Sequence, residues 1–183
     1  MENGIDKWAE CYRRWQSGDE AAFDELMNGL FYGLVHFLSG ILKSVPQAED
    51  AAMDAFTDLV VNKSRYNFRT PLKTYLYMIG RSRAIDILRR EKKIRINRLD
   101  ENAAGYFDPD LDERLMISEE KKKLREAVAA LPGDMRTAVH LVYFEGMSYS
   151  EAAKIMKKNR KQIDNLIFRA KKLMKESLTE GLL

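Results

Sequence analysis

A chain of 183 residues that is 45% hydrophobic and 32% charged carries a formal net charge of only +3. That length suits one domain or two small ones with packed cores, and so mild a balance leaves any binding surface to local asymmetry of charge. The single cysteine, Cys11, excludes an internal disulfide and fits a reducing compartment, and with only His36 and His140 as histidines no structural zinc site is expected.

The opening "MENGIDKWAE" has no basic segment followed by an apolar run, so no signal peptide is expected. Trp8, Tyr12 and Trp15 recur at helical spacing and predict a first helix, stopped by Ser17-Gly18-Asp19-Glu20. Ser17 and Glu20 form a capping-box pattern for a second helix. Its broad apolar stripe runs through Phe23, Leu26, Met27, Leu30, Phe31, Leu34 and Phe37. Pro46 is expected to open a third helix, with Glu49 and Asp50 in its positive first turn and Ala52, Phe56, Leu59 and Val60 facing inward. Residues 62–70 read as a loop. Thr70-Pro71 then starts a fourth helix that carries Leu72, Tyr75, Leu76, Ile79, Arg83, Ile85 and Leu88 toward the basic end "RREKKIR".

Composition shifts in "LDENAAGYFDPDLDER", which is acidic and poor in core residues and reads as an exposed linker. A second helical unit starts near Ser118. It contains "LREAVAALP", stopped before Pro132, and "GDMRTAVHLVYFEG", ended by Gly146. Ser148 to Glu151 is another capping box, and "KKNR" is a turn. The last helix places Ile163, Leu166, Ile167, Ala170 and Met174 on one side and Lys161, Asn165, Phe168, Lys172 and Lys175 on the other. The expected architecture is all-α, with an N-terminal helical bundle (1–93), a linker (94–117) and a C-terminal helix-turn-helix unit (118–183).

Three features point to function, and each has a plain structural reading beside it. The helix pair ending in the basic helix is either a solvated amphipathic element or a part that enters a DNA major groove. Asp50, Asp54 and Asp58, four residues apart, form an acidic stripe that is either a solubility face or a dock for a basic partner. The fourth helix and the loop before it interleave Arg65, Tyr66, Asn67, Phe68, Arg69, Lys73, Tyr75, Tyr77, Arg81, Ser82 and Arg83. That mixture suits single-stranded DNA, with bases stacked on rings and cations along the backbone, unless its tyrosines are core and its arginines merely solvated. A nucleophile–base–acid set, a phosphate loop and a metal cluster are all missing from the pattern, so neither an enzyme nor a cofactor is expected. Cys11 and the two histidines read as packing residues. Because no apolar stretch reads as long enough to span a bilayer, membrane insertion is not expected and a cytoplasmic location is.

In order along the chain, "SGDEAAFDELM", "AEDAAMDAFTDLV", "LKTYLYMIGRSRAIDILRRE", "LPGDMRTAVHLVYFEGMSYSEAAKIM" and "IDNLIFRAKKLM" resemble a bacterial sigma factor of the extracytoplasmic-function group. The resemblance covers nearly the full chain. It implies a promoter-specificity subunit that binds core RNA polymerase, then recognises and melts promoter DNA. It further implies that Asp50, Asp54 and Phe56 dock on the polymerase clamp helices. Tyr66, Asn67, Phe68 and Arg69, with Arg81, Ser82 and Arg83, would hold the opened minus-ten element. Arg160, Lys161, Asn165, Arg169 and Lys172 would meet the minus-thirty-five element, and an anti-sigma factor is an expected partner. The sequence departs from the family pattern at Met53, usually polar, at Ser82, often asparagine, and at Asp164 and Leu166, often basic. Lys157 and Lys158 stand where the turn usually has glycine and an apolar residue. Two other functions fit parts of the chain: a stand-alone helix-turn-helix regulator, favoured by a stable homodimer on palindromic duplex, and a sigma-like adaptor or decoy that binds core without initiating.

Overall fold

The computed structural model describes residues 6–98 and 119–180, and all regular structure among them is helical. The chain divides into two compact units, Met1–Phe107 and Asp108–Leu183. The first contains α1 (Lys7–Gln16), α2 (Glu20–Leu42), α3 (Val45–Val61) and α4 (Leu72–Arg98). The second contains α5 (Glu119–Ala129), α6 (Gly133–Val139), α7 (Tyr149–Met156) and α8 (Arg160–Glu180).

In the first unit α2 is the hub, packed against α1, α3 and α4. Its seam of Leu26, Leu30, Leu34, Val35 and Leu38 is buried, and each such aliphatic side chain contributes about 2 kcal/mol by leaving water. α3 answers with Ala48, Ala51, Ala52 and Ala55, small residues that let the two helices approach closely, and with Phe56 and Leu59. At 23 residues, α2 does reach membrane-spanning length and composition, contrary to the sequence-based expectation. Its apolar stripe is spent on the bundle, which marks it as a core helix. Gly29 matters to this packing because the Trp8 indole lies across it. A Cβ at that position would fall 2.0 Å from Trp8 Cη2.

Local signals around the helix starts differ from expectation in three places. Ser17 ends α1 and does not cap α2. Its Oγ donates to the Arg13 carbonyl at 3.0 Å, and Gly18 turns the chain at φ +103°. Asp19 is the N-cap of α2, and its Oδ2 accepts from the Arg14 guanidinium, at 2.7 Å from Nη2 and 3.0 Å from Nε. In α3, Ser44 is the N-cap and Pro46 is the second helical residue, so Glu49 and Asp50 lie beyond the first turn. α4 continues to Arg98, beyond the expected basic end at 89–95 and into the expected linker, whose residues 99–117 lie outside the described residues.

The second unit packs Leu131, Met135, Ala138 and Leu141 against Ile155, Met156, Ile163, Ile167 and Ala170. α6 does not run on to Gly146 as one α-helix. It opens into a π turn, His140–Phe144, closed by the Glu145 N–H on the His140 carbonyl at 3.1 Å. Gly146, at φ +68°, then reverses the chain so that the Met147 N–H reaches the Leu141 carbonyl at 3.0 Å.

Candidate nucleic-acid and docking interfaces

The acidic stripe of α3 is divided by folding. Asp50 and Asp54 are exposed, with Met53 between them 48% exposed. Asp58 turns inward, where its Oδ1 accepts from Asn62 Nδ2 at 2.9 Å and pairs with Arg83 at 3.3 Å and Arg65 at 3.6 Å. Phe56, expected to touch a partner, is only 1% exposed and packs beside Phe23 and Phe31. Two residues after Asp54, it lies on the opposite, inward side of α3.

The loop between α3 and α4 is built, not slack. It contains a 3₁₀ turn, Lys63–Arg65. Tyr66 is buried and donates its hydroxyl proton to the Thr70 carbonyl at 2.9 Å, which makes it the brace of the loop and removes it as an exposed stacking ring. Burial pushes its phenol well above the ordinary tyrosine value. Asn67 and Arg69 are exposed, and the Asn67 side chain accepts from the Arg69 N–H at 3.1 Å, fixing the bend. Phe68 adopts a left-handed backbone, φ +60°, uncommon for a bulky residue. Its ring is held 4.6 Å from that of Tyr66 and lies under the Arg13 guanidinium, also at 4.6 Å. Strain of this kind persists only where neighbours over-determine it, and here they do.

On α4 the three consecutive residues Arg81, Ser82 and Arg83 point about 100° apart and cannot share one face. Ser82 and Arg83 are exposed and Arg81 is half-buried. Tyr75 stacks near Tyr66 at 5.0 Å, so the strip Tyr75, Ile79 and Arg83 leads directly from the loop. Asp58 gathers Arg65 and Arg83 at its end.

In the second unit Ser148 and Glu151 complete the expected capping box of α7. A second box was missed in the sequence. Asn159 Oδ1 accepts from the Gln162 N–H, and Gln162 Oε1 accepts from the Asn159 N–H, both at 2.8 Å. The N-x-x-Q spacing carried that signal. It fixes the start of α8, where Arg160 and Lys161 stand exposed. Asn165, Arg169 and Lys172 are exposed as well, and Phe168 projects from the same face at 71% exposure. Lys171 Nζ lies 5.3 Å above the Tyr143 ring, and the Tyr143 hydroxyl holds that ammonium above its ordinary value, tying α8 to the π turn. A short helix, a fixed turn and a long helix with a capped, cationic N-terminus are what major-groove reading requires.

Two families match, and they match the two units: the one described as Sigma-70 region 2 over residues 31–94, and the one described as Sigma-70, region 4 over residues 121–174. This chain belongs to the extracytoplasmic-function group of sigma-70 factors. As a sigma factor it is a non-catalytic subunit that directs promoter recognition by RNA polymerase. It is 28% identical to the RNA polymerase sigma-H factor of Pseudomonas aeruginosa over 92% of each chain. It is 25% identical to the ECF RNA polymerase sigma factor SigM of Bacillus subtilis, over 86% of this chain and 96% of that one. Among solved structures, the sigma factor RpoE of Bartonella quintana shares the fold with a TM-score of 0.68 at 21% identity, covering 86% of this chain and 96% of that one. CnrH shares it at 0.64 and 17% identity, covering 96% and 99%.

The departures of this sigma factor in the helix-turn-helix turn are met locally. Lys157 takes the left-handed conformation, φ +53°, that glycine would take at no steric cost, a strain of about 1 kcal/mol. Lys158 replaces an apolar contact with an ion pair to Asp134 at 3.0 Å, fastening the turn to α6.

Proposed function

We propose that this sigma factor divides promoter recognition among three surfaces. Asp50 and Asp54, with Met53 between them, dock α3 on core polymerase, backed from within by Phe56. Asn67, Phe68 and Arg69, continued by Ser82 and Arg83 and braced by Tyr66 and Arg81, hold the opened minus-ten strand. Arg160, Lys161, Asn165, Arg169 and Lys172 read the minus-thirty-five duplex from α8. The working division is a melting unit over 1–93, a linker over 94–117 and a duplex-reading unit over 118–183. The observation that carries the reading is the loop before α4: a strained, cross-braced turn that keeps an aromatic ring and two polar side chains in a fixed array beside cations. Such an array suits an unstacked base better than a duplex.

Core polymerase incubated with this chain and a randomised promoter library tests it. Transcripts sharing two spaced motifs are expected, and the double variant Asp50→Lys, Asp54→Lys is expected to lose core binding by tenfold or more, on the order of the cost of reversing charges at a desolvated interface. Core binding without transcripts would favour the adaptor reading. A stable homodimer on palindromic duplex without core would favour the regulator. An anti-sigma partner is part of the proposal, supported by two similar folds solved as complexes, RpoE with the anti-sigma factor NepR and CnrH with the cytosolic domain of CnrY. Affinity capture from native cells that recovers polymerase alone would count against it.

A further inference from the structure

The loop assigned above to the opened strand is backed by α1, which that assignment does not use. Asp6 accepts from the Trp8 N–H at 3.1 Å through one oxygen and from the Leu72 N–H at 2.7 Å through the other. One carboxylate thus ties the start of α1 to the helix that follows the loop. Tyr12 donates to the Leu59 carbonyl at 2.9 Å, and its ring meets Tyr66 edge-on at 5.5 Å. On this foundation the next residue, Arg13, extends over the Phe68 ring.

Two neighbouring arginines near the end of α1 are used differently. Arg14 is clamped by Asp19 at 2.7 Å and Glu25 at 3.3 Å, and it holds the Asp19 carboxyl below the usual range. Arg13 meets Glu10 at 3.3 Å, in a pair whose side chains are both more than half exposed. Such a pair is worth little and is easily exchanged. A guanidinium can lie on a ring by its flat face while its edge donates to a phosphate, and an ammonium cannot do both.

We infer that Arg13 is a further promoter-binding residue: stacked on Phe68, it donates to a backbone phosphate of the opened strand beside the base that the loop holds, and releases Glu10 to do so. This rests on the assignment of the loop to minus-ten DNA. The test uses the full chain assembled with core polymerase. The probe is a labelled single-stranded oligonucleotide carrying the non-template minus-ten motif recovered from the promoter library, titrated at several salt concentrations.

Arg13→Ala is expected to weaken binding roughly 3- to 10-fold and to flatten the dependence of log K on log salt by about 0.7, one single-strand phosphate. Arg13→Lys should keep the slope and recover only part of the affinity. Glu10→Gln, which removes a competing carboxylate, should tighten binding. Arg14→Ala should change neither affinity nor slope. An Arg13→Ala protein with parental affinity and slope, while Asn67→Ala and Arg69→Ala are weakened, overturns the role of Arg13 and leaves the loop assignment standing. Parental binding by Asn67→Ala and Arg69→Ala as well overturns the loop assignment, and the role of Arg13 with it.

Discussion

Tyr12 is fully buried and donates to the carbonyl of Leu59 across the bundle, joining α1 to the end of α3. Burial raises its phenol from the ordinary 10.0 to about 12, and Tyr66 and Tyr75 are raised for the same reason. A phenol whose proton is held more tightly in the folded chain adds stability below its unfolded value, and that contribution is lost as pH rises through the folded one. The bundle should therefore weaken between about pH 10 and pH 12. Tyr12→Phe should cost about 1 kcal/mol at neutral pH through the lost hydrogen bond and should make the alkaline decline shallower. Urea unfolding followed across that pH range checks both. Of the residues expected at the candidate sites, those of α8 are exposed as the 3.6-residue period implies. The same reasoning could not tell that Tyr66 is a buried brace while Phe68, two residues on, is half-buried under a cation. Both are aromatics in one short loop, and no periodicity operates there.

Helix by helix, boundaries set by short-range chemistry were legible, and those set by competition were not. The box at Ser148 and Glu151 formed because its partners lie within one turn: the Glu151 N–H reaches Ser148 Oγ at 3.3 Å and the Ser148 N–H reaches Glu151 Oε2 at 2.8 Å. The box at Ser17 and Glu20 did not, because Ser17 closes α1 with its hydroxyl on the Arg13 carbonyl and the chain turns at Gly18. Glycines in α2 give a sharper contrast. Gly40 has nothing within 4 Å of an added Cβ, so Gly40→Ala should stabilise the bundle by about 0.5–1 kcal/mol, the usual helix gain. Gly29→Ala should do the reverse, losing about 1–3 kcal/mol, because the new methyl would displace Trp8. Two thermal melts decide it; equal shifts of the same sign would show that Trp8 does not need the space. At the start of α8, Asn159→Ala should cost about 1 kcal/mol and weaken duplex binding by the region 4 unit, since it frays the turn that carries Arg160 and Lys161.

The whole molecule carries +3 spread over 31 cations and 28 anions, so the long-range pull of the full chain on DNA is weak and binding rests on local basic faces. Affinity then comes from presenting two modest surfaces on one chain and one polymerase. Free protein should bind duplex promoters weakly and with strong salt dependence. A chain cut between the units, within residues 99–117, should retain both folds and lose roughly 100-fold or more in promoter affinity when the halves are supplied separately with core polymerase. Retained affinity after cleavage would show that one unit suffices.

The order of helices, the two-unit plan, the exposed cationic face of α8 and the family were all set by local patterns: apolar period, caps, proline and glycine positions, and the run of motifs. These depend on residues within a few turns of one another. The fate of Asp58, Phe56 and Tyr66, and the clasp made by Asp6, were decided by tertiary structure. Asp6 meets Leu72 across 66 residues of sequence. A carboxylate facing water and a carboxylate gathering Asn62, Arg65 and Arg83 look alike in a sequence, because charge pairing depends on which helices close over it.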